Sequence, residues 1–107
     1  MKKVVLFDQK SDRINTNVFA SIEDNGDLRI DGCDAGPLVK RLWGDYDYEY
    51  IITVKQSDLP RLCYALGANE TKLLASIAKS YSGEKAFSRF KKFLENQDIP
   101  FDFFTWA

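Results

Sequence analysis

Apolar and polar positions alternate with a period of two through the first half of the chain, and give way to a spacing near 3.6 in the second half. Lys3 to Phe7 is β-branched and apolar with no turn former inside it, which predicts a first strand. Asn17 to Glu23 predicts a second, with Val18, Ala20 and Ile22 on one face. Asp24-Asn25-Gly26-Asp27 tolerates the positive φ of a tight hairpin and delivers a third strand from Leu28 to Asp31, with Leu28 and Ile30 inward and Arg29 and Asp31 outward. Gly32-Cys33-Asp34-Ala35-Gly36-Pro37 has the composition of a turn, from which Asp34 or Gly36 opens a short helix through Trp43, Pro37 being tolerated in a first turn. From Tyr46 to Val54 the period of two returns. Tyr48, Tyr50, Ile52 and Val54 share one side, and Asp47, Glu49, Ile51 and Thr53 the other.

After Val54 the stripes become helical. Leu59, Leu62, Cys63 and Leu66 form one, opened by Ser57 as N-cap and closed by Gly67. Leu73, Leu74, Ile77 and Tyr81 form the next, started at Asn69 or Thr71 and stopped by Ser82-Gly83. A third runs from Glu84 to Glu95 on Phe87, Phe90, Phe93 and Leu94. Pro100 forbids helical continuation, and the aromatic segment from Ile99 to Trp106 predicts a docked C-terminal strand or extended piece that completes the core. The expected fold is α+β: an antiparallel β-sheet of about four to five strands against a layer of about three to four helices. At 107 residues, residues 1–107 form a single domain with one core.

Composition changes this picture mainly by exclusion. Between Glu23 and Glu49 eight acids face three bases, and between Lys55 and Glu95 eight bases face four acids, so the chain has an acidic front and a basic back. The net charge of −1 lacks the basic footprint of a nucleic-acid binder, so no direct nucleic-acid partner is expected. The lysines of the last helix alternate with Phe87 and Phe90 in sequence but fall on the face opposite them, which makes a solvated helix surface. Val4 to Phe7 is too short an apolar run for a secretory segment, and no stretch is long enough to span a bilayer; the expected address is the cytoplasm, without membrane contact. Cys33 and Cys63 lie in unlike settings and predict a surface thiol and a core thiol rather than a disulfide or a metal cluster.

Without histidine, the commonest general base and metal ligand are missing. Gly32 and Gly36 are bracketed by Asp31 and Asp34, which repel phosphate, so no nucleotide loop and no cofactor is expected. The remaining candidate is the acidic, aromatic run Gly44 to Tyr50. Asp45, Asp47 and Glu49 at strand spacing suit three roles: an ordinary solvated sheet face, a partner-binding surface, or a carboxylate pair for acid–base or Mg²⁺ chemistry. Tyr46, Tyr48 and Tyr50 turn toward the core or a groove, while Trp43 beside Gly44 is a candidate anchor, buried or exposed.

The order of "EDNGDLRIDGCDAGP", "LWGDYDYEYIITV", a leucine helix and "IPFDFFTW" resembles small bacterial immunity proteins of toxin/immunity systems, including contact-dependent growth inhibition. The resemblance spans roughly Asn17 to Trp106. It implies a cytosolic, non-enzymatic protein that binds a cognate toxin domain, often a nuclease with a basic cleft. The surface expected to bind comprises Asp31, Asp34, Asp45, Asp47 and Glu49, with Trp43 and Tyr46 as apolar anchors. Two other readings stand beside it: an adaptor or regulatory domain for an endogenous protein partner, and a histidine-free, metal-dependent hydrolase on the acidic strand. The basic back half is the alternative binding face if the toxin is acidic.

Overall fold

The computed structural model describes residues 2–106. Five strands, β1 (Lys2–Lys10), β2 (Asn15–Ile22), β3 (Leu28–Ala35), β4 (Asp47–Val54) and β5 (Asp102–Trp106), form one antiparallel sheet in chain order. Helix α1 (Pro37–Trp43) lies between β3 and β4; α2 (Leu59–Leu66), α3 (Leu73–Ser80) and α4 (Ala86–Asn96) lie between β4 and β5. The fold is therefore α+β, as the change of period from two to 3.6 predicts.

The β2–β3 hairpin closes as Asn-Gly chemistry requires. Gly26 takes φ 92° and donates its N–H to Glu23 O at 2.8 Å, and Asn25 Oδ1 accepts from Asp27 N at 2.9 Å. Asp27 Oδ1 accepts in turn from Gln56 N at 2.9 Å, which ties the hairpin to the end of β4. Helix α1 starts with Pro37 at its first turn and ends at Gly44, whose φ of 88° forms a left-handed cap with its N–H on Lys40 O at 3.0 Å.

One sheet face is dry. Val18, Ala20, Leu28, Ile30, Ile52 and Val54 pack against Leu62, Leu73, Ile77, Phe90 and Leu94 of the helices in a single core. Removing a large aliphatic or aromatic side chain of this kind from water is worth about 1.5–3 kcal/mol. The helical stripes read from the sequence are the ones that supply these residues.

Several boundaries differ from the sequence reading, each for a physical reason. Of the two starts offered for the segment before α3, Asn69 is the one used, its Oδ1 accepting from Lys72 N at 3.0 Å ahead of a short 3₁₀ turn that runs into α3. Ser57 does not cap α2; it sits inside a 3₁₀ turn, Gln56–Asp58, and the α2 N-terminus makes no side-chain cap bond. Helix α4 begins at Ala86 rather than Glu84. The largest difference is at Gly32-Cys33-Asp34-Ala35, which continues β3 instead of turning. Cross-strand neighbours on both sides enforce this: Gly32 pairs with Val18 of β2 and with Tyr50 of β4. Its φ is not positive; it is glycine because the Tyr50 ring lies across it, where a Cβ would overlap the ring carbons. Strand β5 forms as expected, and the segment leading into it supplies core, with Ile99 buried and Phe101 packed against the cluster, but the strand itself adds little. Its five residues are all exposed; Phe103 and Thr105 take the inward parity, and the Phe103 ring lies 6.0 Å from that of Phe87.

Candidate binding surface on the open sheet face

Strand parity and register decide which candidates meet. Residues opposite one another on the face away from the helices form rows: Phe19, Asp31, Ile51 and Phe104 in one, and Asn17, Cys33, Glu49 and Trp106 in the next. Among the described residues no helix covers these rows, since the helices follow the other parity. Ile51 is nonetheless buried, and together with Phe19, Cys33, Glu49 and Trp106 it lines a shallow cavity of about 180 Å³. Lys3 Nζ lies 3.7 Å above the Phe19 ring, a cation–π contact that covers part of this face.

Beside that cavity is a wider depression of about 430 Å³, lined by Asp45, Tyr46, Asp47, Glu49 and Trp106. Glu49 and Trp106 line both cavities, so the two are halves of one furrow with the Trp106 indole as shared wall. Tyr46 is 60% exposed and Trp106 54%. Among the described residues Asp45, Asp47 and Glu49 take part in no ion pair. The negative field is registered by Cys33, whose thiol pKa is pushed up by burial first and then by the charges of Asp47, Glu49 and Asp34.

Five of the seven residues singled out from the sequence are thus brought to the furrow: Asp45, Tyr46, Asp47 and Glu49 in its wider half, and Asp31 with Glu49 in its narrower half. Asp31 differs from the others in being ion-paired: Arg29 Nη2 holds it at 2.6 Å while Arg29 Nη1 reaches Glu23 at 3.4 Å, so one guanidinium is shared by two carboxylates. The other two are placed elsewhere. Asp34 has the opposite parity and accepts a hydrogen bond from Tyr50 Oη at 2.9 Å on the helical side. Trp43 stacks on Tyr48 with ring centres 4.8 Å apart and stays 54% exposed, also on the helical side. Tyr48 and Tyr50 face inward as expected, whereas Tyr46 precedes β4 and is released to the surface.

Trp106 is the residue the sequence reading missed. As a group the C-terminal aromatics predict core; alternation separates Phe103 from Phe104 and Trp106, but only the β4–β5 register puts Trp106 opposite Glu49.

The furrow's chemistry is that of a cation-accepting surface: carboxylates for Lys or Arg, and ring faces for their stems and charge. A thiol held in its protonated form is a poor nucleophile. Among the described residues no three Cys, Asp or Glu side chains are placed to hold a metal ion. The basic side of the molecule carries a depression of its own, about 470 Å³, lined by Tyr81, Ser88, Arg89, Lys92, Phe93 and Asn96. Among the described residues no helix is long and apolar enough to cross a membrane. Compared with known proteins, the chain matches no family model, no curated protein and no solved structure.

Proposed function

We propose that the chain is a non-enzymatic immunity protein of the bacterial cytoplasm that binds a cognate toxin domain, a nuclease, and occludes its basic active or substrate-binding cleft. The observation that carries the proposal is the furrow itself. Asp45, Asp47 and Glu49, free of ion pairs among the described residues, flank exposed Tyr46 and Trp106 on a sheet face that no helix covers. Exposed aromatics flanked by charge are the composition of interface hot spots, and an unneutralised carboxylate array steers a basic partner before contact.

The test uses the product of the toxin-encoding reading frame immediately upstream, co-expressed and purified with this chain. The two co-purify, and association is fast and strongly salt-dependent. D45K with D47K slows association by about tenfold at low salt and weakens the salt dependence. Association unchanged by this reversal, but lost on reversing Arg89 and Lys92, moves the interface to the basic helical face. Absence of any such reading frame favours an adaptor that binds an endogenous protein through the same furrow.

A further inference from the structure

The two edges of the sheet are built differently. Strand β1 is defended: Lys2, Lys3 and Lys10 lie along it, and its register breaks between Val5 and Phe7. Leu6 O, at that irregularity, is already engaged by Gly83 N at 2.9 Å. Strand β5 has none of these devices. Its register with β4 is unbroken over Asp102–Trp106, its one charged residue is the first, and no backbone group in it bonds to a turn, loop or helix of the described chain. Phe104 and Trp106, more than half exposed, stand along it on the open face. An undefended edge carrying aromatic side chains is a template for another strand.

We infer that β5 accepts, as a sixth strand, an extended segment of the protein partner whose apolar side chains pack on Phe104 and Trp106 and which carries Lys or Arg where it passes the Trp106 end. This rests on the reading that the partner is a protein, and it specifies how that partner is held. Charge selects the occupant. A strand laid beside β5 and continued past Trp106 runs over the depression lined by Asp45, Asp47 and Glu49. Basic residues there meet three carboxylates, while the Tyr46 ring already has Lys40 Nζ 5.8 Å from its centre; acidic ones meet repulsion.

The same geometry argues against a second copy of this chain. A two-fold antiparallel pairing of β5 with itself sets Asp102 of one copy against the Trp106 end of the other. It then brings the Asp102 carboxylate, with Pro100, a residue without an N–H, just before it, toward the acidic depression.

The experiment selects random short linear peptides displayed on phage against the immobilised full chain. Enriched peptides alternate apolar and polar residues and carry Lys or Arg at one end. F104K weakens them about tenfold or more, and D47K with E49K removes the preference for the basic end. Circular dichroism checks that these surface variants fold. A probe that leaves the protein untouched comes from N-methylating alternate amides of one selected peptide. Methylation at one parity costs about tenfold because those N–H groups face β5, and at the other parity costs little. Equal effects at both parities, peptides indifferent to F104K, or no enrichment overturn the proposal. So does a dimer of the free chain in sedimentation velocity that F104K dissociates, which assigns the edge to a second copy. If peptides bind as described while the upstream gene product does not, the immunity reading falls and the strand site stands. If the toxin binds and is indifferent to F104K, the reverse holds.

Discussion

Gly32→Ala is the substitution whose effect follows most directly from the sheet. Gly32 and Tyr50 are cross-strand partners, and the added Cβ would overlap Cε2, Cδ2 and Cζ of the tyrosine. The ring has nowhere easy to go. Phe87 lies edge-on at 4.6 Å, Tyr48 is at 5.8 Å, and the hydroxyl is tied to Asp34 at 2.9 Å. Overpacking a filled site costs about 1–3 kcal/mol, and losing a hydrogen bond to a carboxylate adds about 1–2 kcal/mol. The sum, about 3 kcal/mol, lowers Tm by roughly 10–20 °C for a domain of this size yet leaves it folded. With Tyr50→Val the obstacle is gone, and Gly32→Ala becomes neutral or stabilising by about 0.5–1 kcal/mol, because glycine is a poor strand residue. Urea unfolding of the wild type, both single variants and the double variant gives the coupling as a double-mutant cycle. A cost for Gly32→Ala that is the same in both backgrounds within about 0.5 kcal/mol would refute the assignment of Gly32 as the seat of the ring.

Two further outcomes follow from the titrating groups near the same strands. The Tyr50 phenol is pushed well above its ordinary value of 10.0 by burial first, then by the charge of Asp34 and the hydrogen bond to it. The folded protein keeps this proton where the unfolded chain releases it, so the associated stability is complete below pH about 10 and is lost as the pH rises beyond that value. Tyr50→Phe is therefore less stable at neutral pH but loses stability more slowly above pH about 10, in urea midpoints measured from pH about 8 to about 11.5; parallel pH profiles contradict this. Cys33, raised by burial and by Asp47, Glu49 and Asp34, is alkylated by iodoacetamide at pH about 8 more slowly than an exposed thiol. Asp47→Asn with Glu49→Gln accelerates the reaction, and an unchanged rate means that those carboxylates do not set the field at the thiol.

Most of the fold was legible because local signals agreed with tertiary needs. The Asn25-Gly26 hairpin, the parity of β4 and the stripes of α2, α3 and α4 all appear where the periodicity puts them. The differences on the sheet share one cause: they concern what lies across it, which a linear pattern does not contain. Gly32 looks like a turn former because glycine usually marks one, and only its pairing with Tyr50 shows that it makes room. Asp31 and Asp34 are equally acidic in sequence, yet Arg29 pairs with one and Tyr50 ties down the other. Trp106 was read with Phe101 and Phe103 as core, since the strength of an aromatic cluster says nothing about its face until the register with Glu49 is known. The candidate surface thus changed membership: Asp45, Tyr46, Asp47 and Glu49 remain, Asp31 stays at its narrower end as an ion-paired group, Trp106 joins them, and Asp34 and Trp43 leave.

Hydrogen exchange of the complex with the upstream gene product, compared with the free chain, tests the central claim most directly, because it maps the interface without altering it. The furrow account predicts slowed amide exchange along β5 and from Asp45 to Glu49, together with protection of Cys33 from alkylation, and no change along the outward side of α4. Protection confined to α4 around Arg89 and Lys92, with β5 and the acidic run exchanging as in the free chain, would contradict it.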